Sequence, residues 1–184
     1  MADHKDLTEH FIAGELVFDG ALLKVRRDRV RLPDASEGAR EYIRHPGAVA
    51  VVALFDDGSV LLERQFRYPH RREFIEIPAG KLEPGEAHLA TAKRELAEET
   101  GYAAAAWHYL GVIHTAIAYT DEAIHLYLAR NLSRSERKLD QGEFLETVVR
   151  PFDEALRMIR DGELTDAKSV AGLLWVDRWA RDGS

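Results

Sequence analysis

The chain has 184 residues, 46% hydrophobic and 31% charged, which suits one well-buried core and excludes a disordered or repeat protein. It contains no cysteine, so disulfides, thiolate metal sites and cysteine nucleophiles drop out together, leaving oxygen and histidine as the metal donors. A net charge of −7 opposes a nucleic-acid backbone, no apolar run reaches the ~20 residues of a membrane helix, and the start MADHKDLTEH lacks the basic and apolar regions of a signal peptide. No nucleic-acid or membrane partner is expected, and the expected location is cytoplasmic.

Residues 15–32, ELVFDGALLKVRRDRVRL, alternate apolar and polar positions about Asp19-Gly20, a dipeptide that favours a tight hairpin turn. Two strands are predicted there, ended by Pro33-Asp34. A strand near 40–45 leads into AVAVVALF, residues 48–55, whose unbroken apolar run predicts a strand buried on both faces. Asp56-Asp57-Gly58 turns the chain back into SVLLERQFRY, and EFIEIPAG follows. After the turn at Pro84-Gly85 the pattern predicts a helix over 87–100. Further strands are predicted near 107–115 and 122–130, then a polar loop through about 143, a strand at 144–149, and closing helices near 152–160 and 166–180. The expected class is α+β, with a mixed sheet layered between helices.

The segment GKLEPGEAHLATAKRELAEETGY places Arg94, Glu95, Glu98 and Glu99 within six positions of the predicted helix. At about 100° per residue the three glutamates share one stripe, while Leu89, Ala92 and Leu96 share another that can pack. A solvated helix face with lysine and arginine pairs is the ordinary explanation of such charge, but few partners are in reach. Glutamates crowded within one turn repel each other by a few tenths of a kcal/mol per pair unless a cation sits among them, and such hard oxygen donors suit Mg²⁺ or Mn²⁺.

Gly80, five residues, Glu86, seven residues, then Arg94-Glu95-Leu96, Glu98-Glu99 and Gly101 resembles the complete motif of the Nudix hydrolases, with Tyr102 at the final aliphatic position. Seven fixed residues at typical frequencies of ~7% coincide by chance on the order of 10⁻⁸ per starting position. The resemblance implies a Nudix fold, an α/β/α sandwich, whose loop–helix–loop binds divalent cations through Glu95, Glu98 and Glu99. Arg94 and Glu86 then brace the loop, and Gly80 and Gly101 serve its turns. Metal ions bridging a pyrophosphate neutralise its charge and lower the pKa of an attacking water.

Outside that motif, PGAVAVVALFDDGSVLLERQFRYPHRREFIEIPA (46–79) and the tail GELTDAKSVAGLL are similar to the ADP-ribose pyrophosphatases and related nucleoside-diphosphate-sugar hydrolases. This branch implies metal-dependent cleavage of the pyrophosphate bond to a nucleoside monophosphate and a sugar phosphate, with Mg²⁺ as cofactor and Mn²⁺ as the alternative. It adds the carbonyl of Ala79 as a metal ligand. Arg67, whose planar fork suits phosphate oxygens, becomes a substrate contact together with Glu76.

The resemblance further implies a general base from a glutamate on a loop after the fifth or sixth strand rather than on the helix, and Glu143 is the candidate with Glu146 as its rival, so the expected catalytic set is Glu143, Glu95 and Arg94. The branch also implies a homodimer, built through an N-terminal strand extension at 1–45 beside a Nudix domain at 46–184. Phe18 would then stack on the base, with Arg40 and Arg44 near the phosphates. Where the branch carries proline and glycine, this chain has Ala116-Ile117-Ala118, which leaves the preferred sugar nucleotide open.

The eight histidines show no paired spacing on a predicted helix, and structural or surface roles are expected of them. No nucleophile elbow, phosphate-binding glycine loop or dinucleotide fingerprint occurs. Two rivals stay open: a Nudix enzyme for another nucleotide, such as a dinucleoside polyphosphate, NADH or a nucleoside triphosphate, and a Nudix-fold module that binds without catalysis.

Overall fold

A computed structural model describes residues 5–139 and 141–181; Met1–His4, which open the polar start, and Asp140 of the segment DQGEFLE lie outside the described residues. The chain forms two units, one from the described residues up to His45 together with Ala116–Glu122, the other from Pro46–Thr115 and Ala123 onward.

The first unit is an antiparallel sheet of β1 (His10–Asp19), β2 (Lys24–Arg31) and β3 (Glu37–Arg44). The tight turn expected at Asp19-Gly20 is corrected: Asp19 pairs in register with Lys24, so the hairpin closes through Gly20–Leu23, with the Gly20 amide bonded to the Leu23 carbonyl at 2.9 Å. The ion pair of Lys24 with Asp19 holds that wider register. Both outer strands start earlier than the pattern suggested, because β1 and β3 take their partners along the whole length of β2. The segment 116–122 joins this unit through the Ile43 amide on the Tyr119 carbonyl (2.8 Å) and the Arg44–Asp121 ion pair (3.1 Å).

In the second unit a mixed sheet runs β10 (Leu145–Pro151), β5 (Ser59–Arg67), β4 (Ala48–Leu54), β9 (Ala123–Arg134), β8 (Tyr102–His114), with β4 and β9 parallel and the other pairs antiparallel. The apolar run 48–53 is buried throughout, and its two faces feed different layers. Ala48, Ala50 and Val52 pack with Leu126, Leu173 and Val176 under α2 (Phe152–Arg160) and α3 (Ala167–Arg181). Val49, Val51 and Ala53 pack with Leu61, Ala92 and Leu96 under α1 (His88–Thr100). This is the α/β/α sandwich of the expectation, and burial on both faces explains why β4 reads as continuous rather than alternating. No helix among the described residues is long and apolar enough to cross a membrane.

Strand β8 begins at Tyr102, well ahead of the predicted 107, and β9 runs on to Arg134. Alanines 103–106 carry no strand signal of their own, and pairing with 130–133 supplies it.

The expected segment EFIEIPAG resolves into two short strands, β6 (Arg72–Glu76) and β7 (Ala79–Lys81), after a 3₁₀ turn at Tyr68–His70. Strands β4 and β5 pair only at Ala53↔Leu61 and Leu54↔Val60, and then part. Into that fork β6 pairs along β5 and β7 along β4, closed by the Val51 amide on the Pro78 carbonyl at 2.9 Å. The fork sets Glu63 opposite Glu76 on its β5–β6 branch and Ala79 and Gly80 opposite Ala50 and Val49 on its β4–β7 branch.

Candidate active site

Helix α1 carries the carboxylates, and Gly101 ends it in the left-handed conformation (φ +71°) with its amide on the Ala97 carbonyl at 2.9 Å. Glu99 lies i+7 from Ala92 and i+3 from Leu96, on the packed stripe rather than away from it, and is only 8% exposed. Glu98 points outward and Glu95 lies between the two.

The expectation that these glutamates have few cationic partners in reach is corrected in part. The Arg94 guanidinium donates to both Glu86 oxygens at 3.2 and 3.1 Å, to Glu95 at 2.9 Å and to Glu98 at 3.0 Å. It thereby braces the loop carrying Glu86 against the helix and holds the Glu86 carboxyl down at about 2.

Gly80 lies under Glu95: a Cβ there would meet the Glu95 carboxyl carbon at 1.9 Å. The neighbouring Ala79 amide donates to Glu99 at 3.1 Å, so the β7 backbone meets the helix at two successive residues.

Among the described residues, no cation pairs with Glu99, which takes the Ala79 amide instead. Burial, then the charges of Glu63 and Glu95, push its carboxyl well above the usual range despite the Ala79 amide, and Glu143 pushes in the same direction. Glu63, 4% exposed on β5, is likewise raised by burial and by Glu76, and its Oε1 has no hydrogen-bond partner. Glu95 is raised by burial despite Arg94, with Glu98 and Glu143 adding to the rise.

Glu76, opposite Glu63 in register, is the well-paired member. Burial works against its charge, but Arg67 donates to it from Nε and Nη2, each at 2.7 Å, and Lys168 adds an ion pair, bringing it to about 2. Lys168 also reaches Asp166 at 2.9 Å, and Asp166 in turn takes the Ser169 amide at the start of α3.

Glu143 and Glu146 part company in this setting. The charge of Glu143 acts on both Glu95 and Glu99. Glu146 points to solvent and pairs with Arg64 at 2.5 Å, which lowers its pKa. The loop carrying Glu143 is pinned by Arg137, whose Nε donates to the Glu99 carbonyl (2.6 Å) and Nη2 to the Leu145 carbonyl (2.8 Å), while the Lys138 amide caps the Glu98 carbonyl (3.0 Å). These bonds satisfy the last-turn carbonyls of α1.

Phe18, Arg40 and Arg44 belong to the other unit. There Phe18 is exposed, Arg40 is bidentate to Glu9, and Arg44 pairs with Asp121. Arg137 and Lys168 were missed in the sequence because each acts through a partner distant in the chain, and Glu63 because its burial is set by the sheet and α1. Glu63 alone left a signal, a charge at a core-facing position after Leu61. His88 and His125 stack at 4.3 Å, with Tyr109 on His125 and Tyr127 on His88, so these histidines are held by aromatic neighbours.

Among the described residues, no three acidic or histidine side chains form a ready-made metal-ligand set. Arg94 draws Glu95 and Glu98, while Glu99 is turned to the Ala79 amide. The donor chemistry nevertheless fits a hard divalent cation: all donors are oxygens, and the buried, mutually repelling Glu99 and Glu63 with the raised Glu95 make a region whose charge a cation would relieve.

Two outcomes follow from this geometry. Gly80→Ala drives a Cβ into Glu95 and is expected to lower turnover at least ~100-fold, since small misplacements of a site carry that cost, while the melting temperature changes little. Steady-state kinetics beside a thermal melt checks it.

Glu76→Gln is expected to cost on the order of 2–3 kcal/mol near neutral pH, reduced from a fully buried pair by the solvent access of Arg67. A depressed carboxylate contributes stability that is full above its unfolded pKa near 4.5 and is lost as pH falls toward about 2. Urea denaturation of wild type and variant should therefore converge over that window; a constant difference would remove the ion pairs as its cause.

Comparison with known proteins agrees with this layout. The NUDIX domain model matches residues 44–173. The chain is 40% identical over 174 residues to the ADP-ribose pyrophosphatase of Bacillus subtilis, covering 94% of each chain. It is 40% identical over 170 residues to the methanol dehydrogenase activator of Bacillus methanolicus, covering 91% of this chain and 92% of that one. It is 37% identical over 179 residues to the ADP-ribose pyrophosphatase of Mycobacterium tuberculosis, covering 96% of this chain and 85% of that one. A crystal structure of an ADP compounds hydrolase superposes with a TM-score of 0.85 at 23% identity over 97% of this chain and 98% of that one, a likeness of fold. A complete motif folded as loop, helix and loop, together with a domain match over most of the chain, shows that the chain belongs to the Nudix family.

Proposed function

We propose that the chain is a divalent-metal-dependent pyrophosphohydrolase that cleaves ADP-ribose, or a closely related nucleoside diphosphate sugar, into a nucleoside monophosphate and a sugar phosphate. The observation that carries this reading is the meeting of β7 with α1, where Gly80 and Ala79 seat Glu95 and Glu99. The names borne by the Bacillus subtilis and Mycobacterium tuberculosis relatives supply the substrate.

In this reading Glu95, Glu98, Glu99 and the Ala79 carbonyl hold Mg²⁺, with Mn²⁺ able to replace it. The bound cation neutralises the pyrophosphate and lowers the pKa of the attacking water. Glu143 takes the proton from that water, supported by the reach of its charge to Glu95 and Glu99 and by the commitment of Glu146 to Arg64. Arg94 keeps Glu95 and Glu98 in place by holding Glu86. Arg67 keeps its Nη1 outside the pair with Glu76, and that amino group is the donor offered to a phosphate oxygen, with Glu76 fixing the fork.

The N-terminal extension at 1–45 is assigned to self-association. Phe11, Leu16, Val17, Phe18, Leu22 and Leu23 are all exposed on it, more apolar surface than a solitary small sheet ordinarily shows. In a homodimer Phe18 is the candidate platform for the base, and Arg40 and Arg44 would exchange Glu9 and Asp121 for phosphate. The cytoplasm is the compartment where this cysteine-free enzyme would meet its nucleotide.

A panel of ADP-ribose, other sugar nucleotides, NADH, diadenosine polyphosphates and nucleoside triphosphates, assayed with and without Mg²⁺, tests the reading. ADP-ribose is expected to give AMP and ribose 5-phosphate with the highest kcat/KM. Preference for another member keeps the family and replaces the substrate, whereas inactivity on all of them points to a binding module. On the preferred substrate Glu99→Gln and Glu143→Gln are each expected to lower kcat by at least ~100-fold and Glu146→Gln to leave it near wild type; the reverse ranking of the last two moves the base to Glu146. For association, sedimentation velocity is expected to show a dimer that Phe11→Asp dissociates, and a monomeric wild type would remove that assignment.

A further inference from the structure

Among the described residues, Glu63 is the one buried acidic group of the fork with no counter-ion in contact and a carboxylate oxygen without a hydrogen bond. Side chains alternate along β5, so Glu63 follows Leu61 onto the sheet face covered by α1, the face on which Glu99 is buried. Its register partner Glu76 is saturated by Arg67 and Lys168. Arg137, the other nearby cation, donates from Nε and Nη2 to the carbonyls of Glu99 and Leu145. A carboxylate removed from water costs several kcal/mol unless something compensates it, so a bare one at this depth is expensive to keep. A glutamine or leucine would fill the same space without that cost.

We propose that Glu63 is a positioning residue for the divalent-cation site: from behind Glu99 it supplies negative charge that strengthens cation binding, and it takes no part in the chemical step. The inference rests on the metal-binding role given above to Glu95, Glu98 and Glu99. With a cation among those three, the charges that repel Glu63 are neutralised, and its own charge adds to the attraction. Residues that act on a metal through its ligands alter affinity by about 10- to 100-fold, which sets the scale of the effect.

The test is titration of the metal-free full chain with Mn²⁺, without substrate, followed by electron paramagnetic resonance. Wild type is expected to bind. Glu63→Gln is expected to raise the Mn²⁺ Kd by about 10- to 100-fold, to melt at or above the wild-type temperature without metal, and to gain less from added Mn²⁺. Its kcat at saturating Mn²⁺ should stay close to wild type, with the loss confined to the metal concentration needed. Glu63→Asp, which keeps the charge and shortens its reach, should fall between the two and carries the same titration if Glu63→Gln does not fold. A Kd unchanged in both variants overturns the proposal, as does a lower kcat at saturating metal with an unaltered Kd. A wild type that binds no Mn²⁺ overturns the metal reading itself, which separates the two failures.

Discussion

The candidate site depends on holding like charges together where water cannot screen them. Glu63, Glu76, Glu95, Glu98 and Glu99 are gathered by a forked sheet and one helix, and like charges repel more strongly where burial keeps water out than in solvent. Each is accommodated differently. Arg94 holds Glu95 and Glu98, Arg67 and Lys168 hold Glu76, a backbone amide serves Glu99, and among the described residues one oxygen of Glu63 is left unpaired. The fold therefore stores an electrostatic demand at its centre, and the proposed cation is what discharges it.

That demand could not be sustained on a flexible support, and the surrounding structure supplies rigidity in proportion. The strand β4 is buried on both faces and welds the helix layers to one sheet. The parting of β4 from β5 lets two short strands enter, so that backbone, side chain and helix end meet within a few residues. Arg137 then ties the Glu143 loop to the last turn of α1 and to the start of β10 with a single side chain. Because guanidinium nitrogens point in fixed directions, one arginine can set the spacing of two backbone segments where a lysine would set neither.

The sheet of β1 to β3 shows the opposite balance. Its charges are neutralised locally, Lys24 by Asp19, Arg27 by Glu41 and Arg40 by Glu9, while its large apolar side chains remain outside. Surface of that kind is stable in water only at a cost that association removes.

Much of this was legible in the linear chain. The spacing of Gly80, Glu86, Arg94, Glu95, Glu98, Glu99 and Gly101 identified the loop, the helix and its chemistry, because turn glycines and one helical turn of carboxylates are local properties. The continuous apolar run 48–53 likewise announced a strand covered on both sides. Local pattern failed where partners were remote: alanines 103–106 become strand by pairing with 130–133, and Asp19-Gly20 turns more widely because β1 and β2 set the register. Only the tertiary structure decided that Glu99 lies on the packed stripe, that Glu76 answers to Arg67 and Lys168, and that Glu63 is buried with a carboxylate oxygen unpaired among the described residues. The reason is physical: helix and turn signals are written between neighbours a few residues apart, whereas burial and charge depend on distances in space that only chain closure sets.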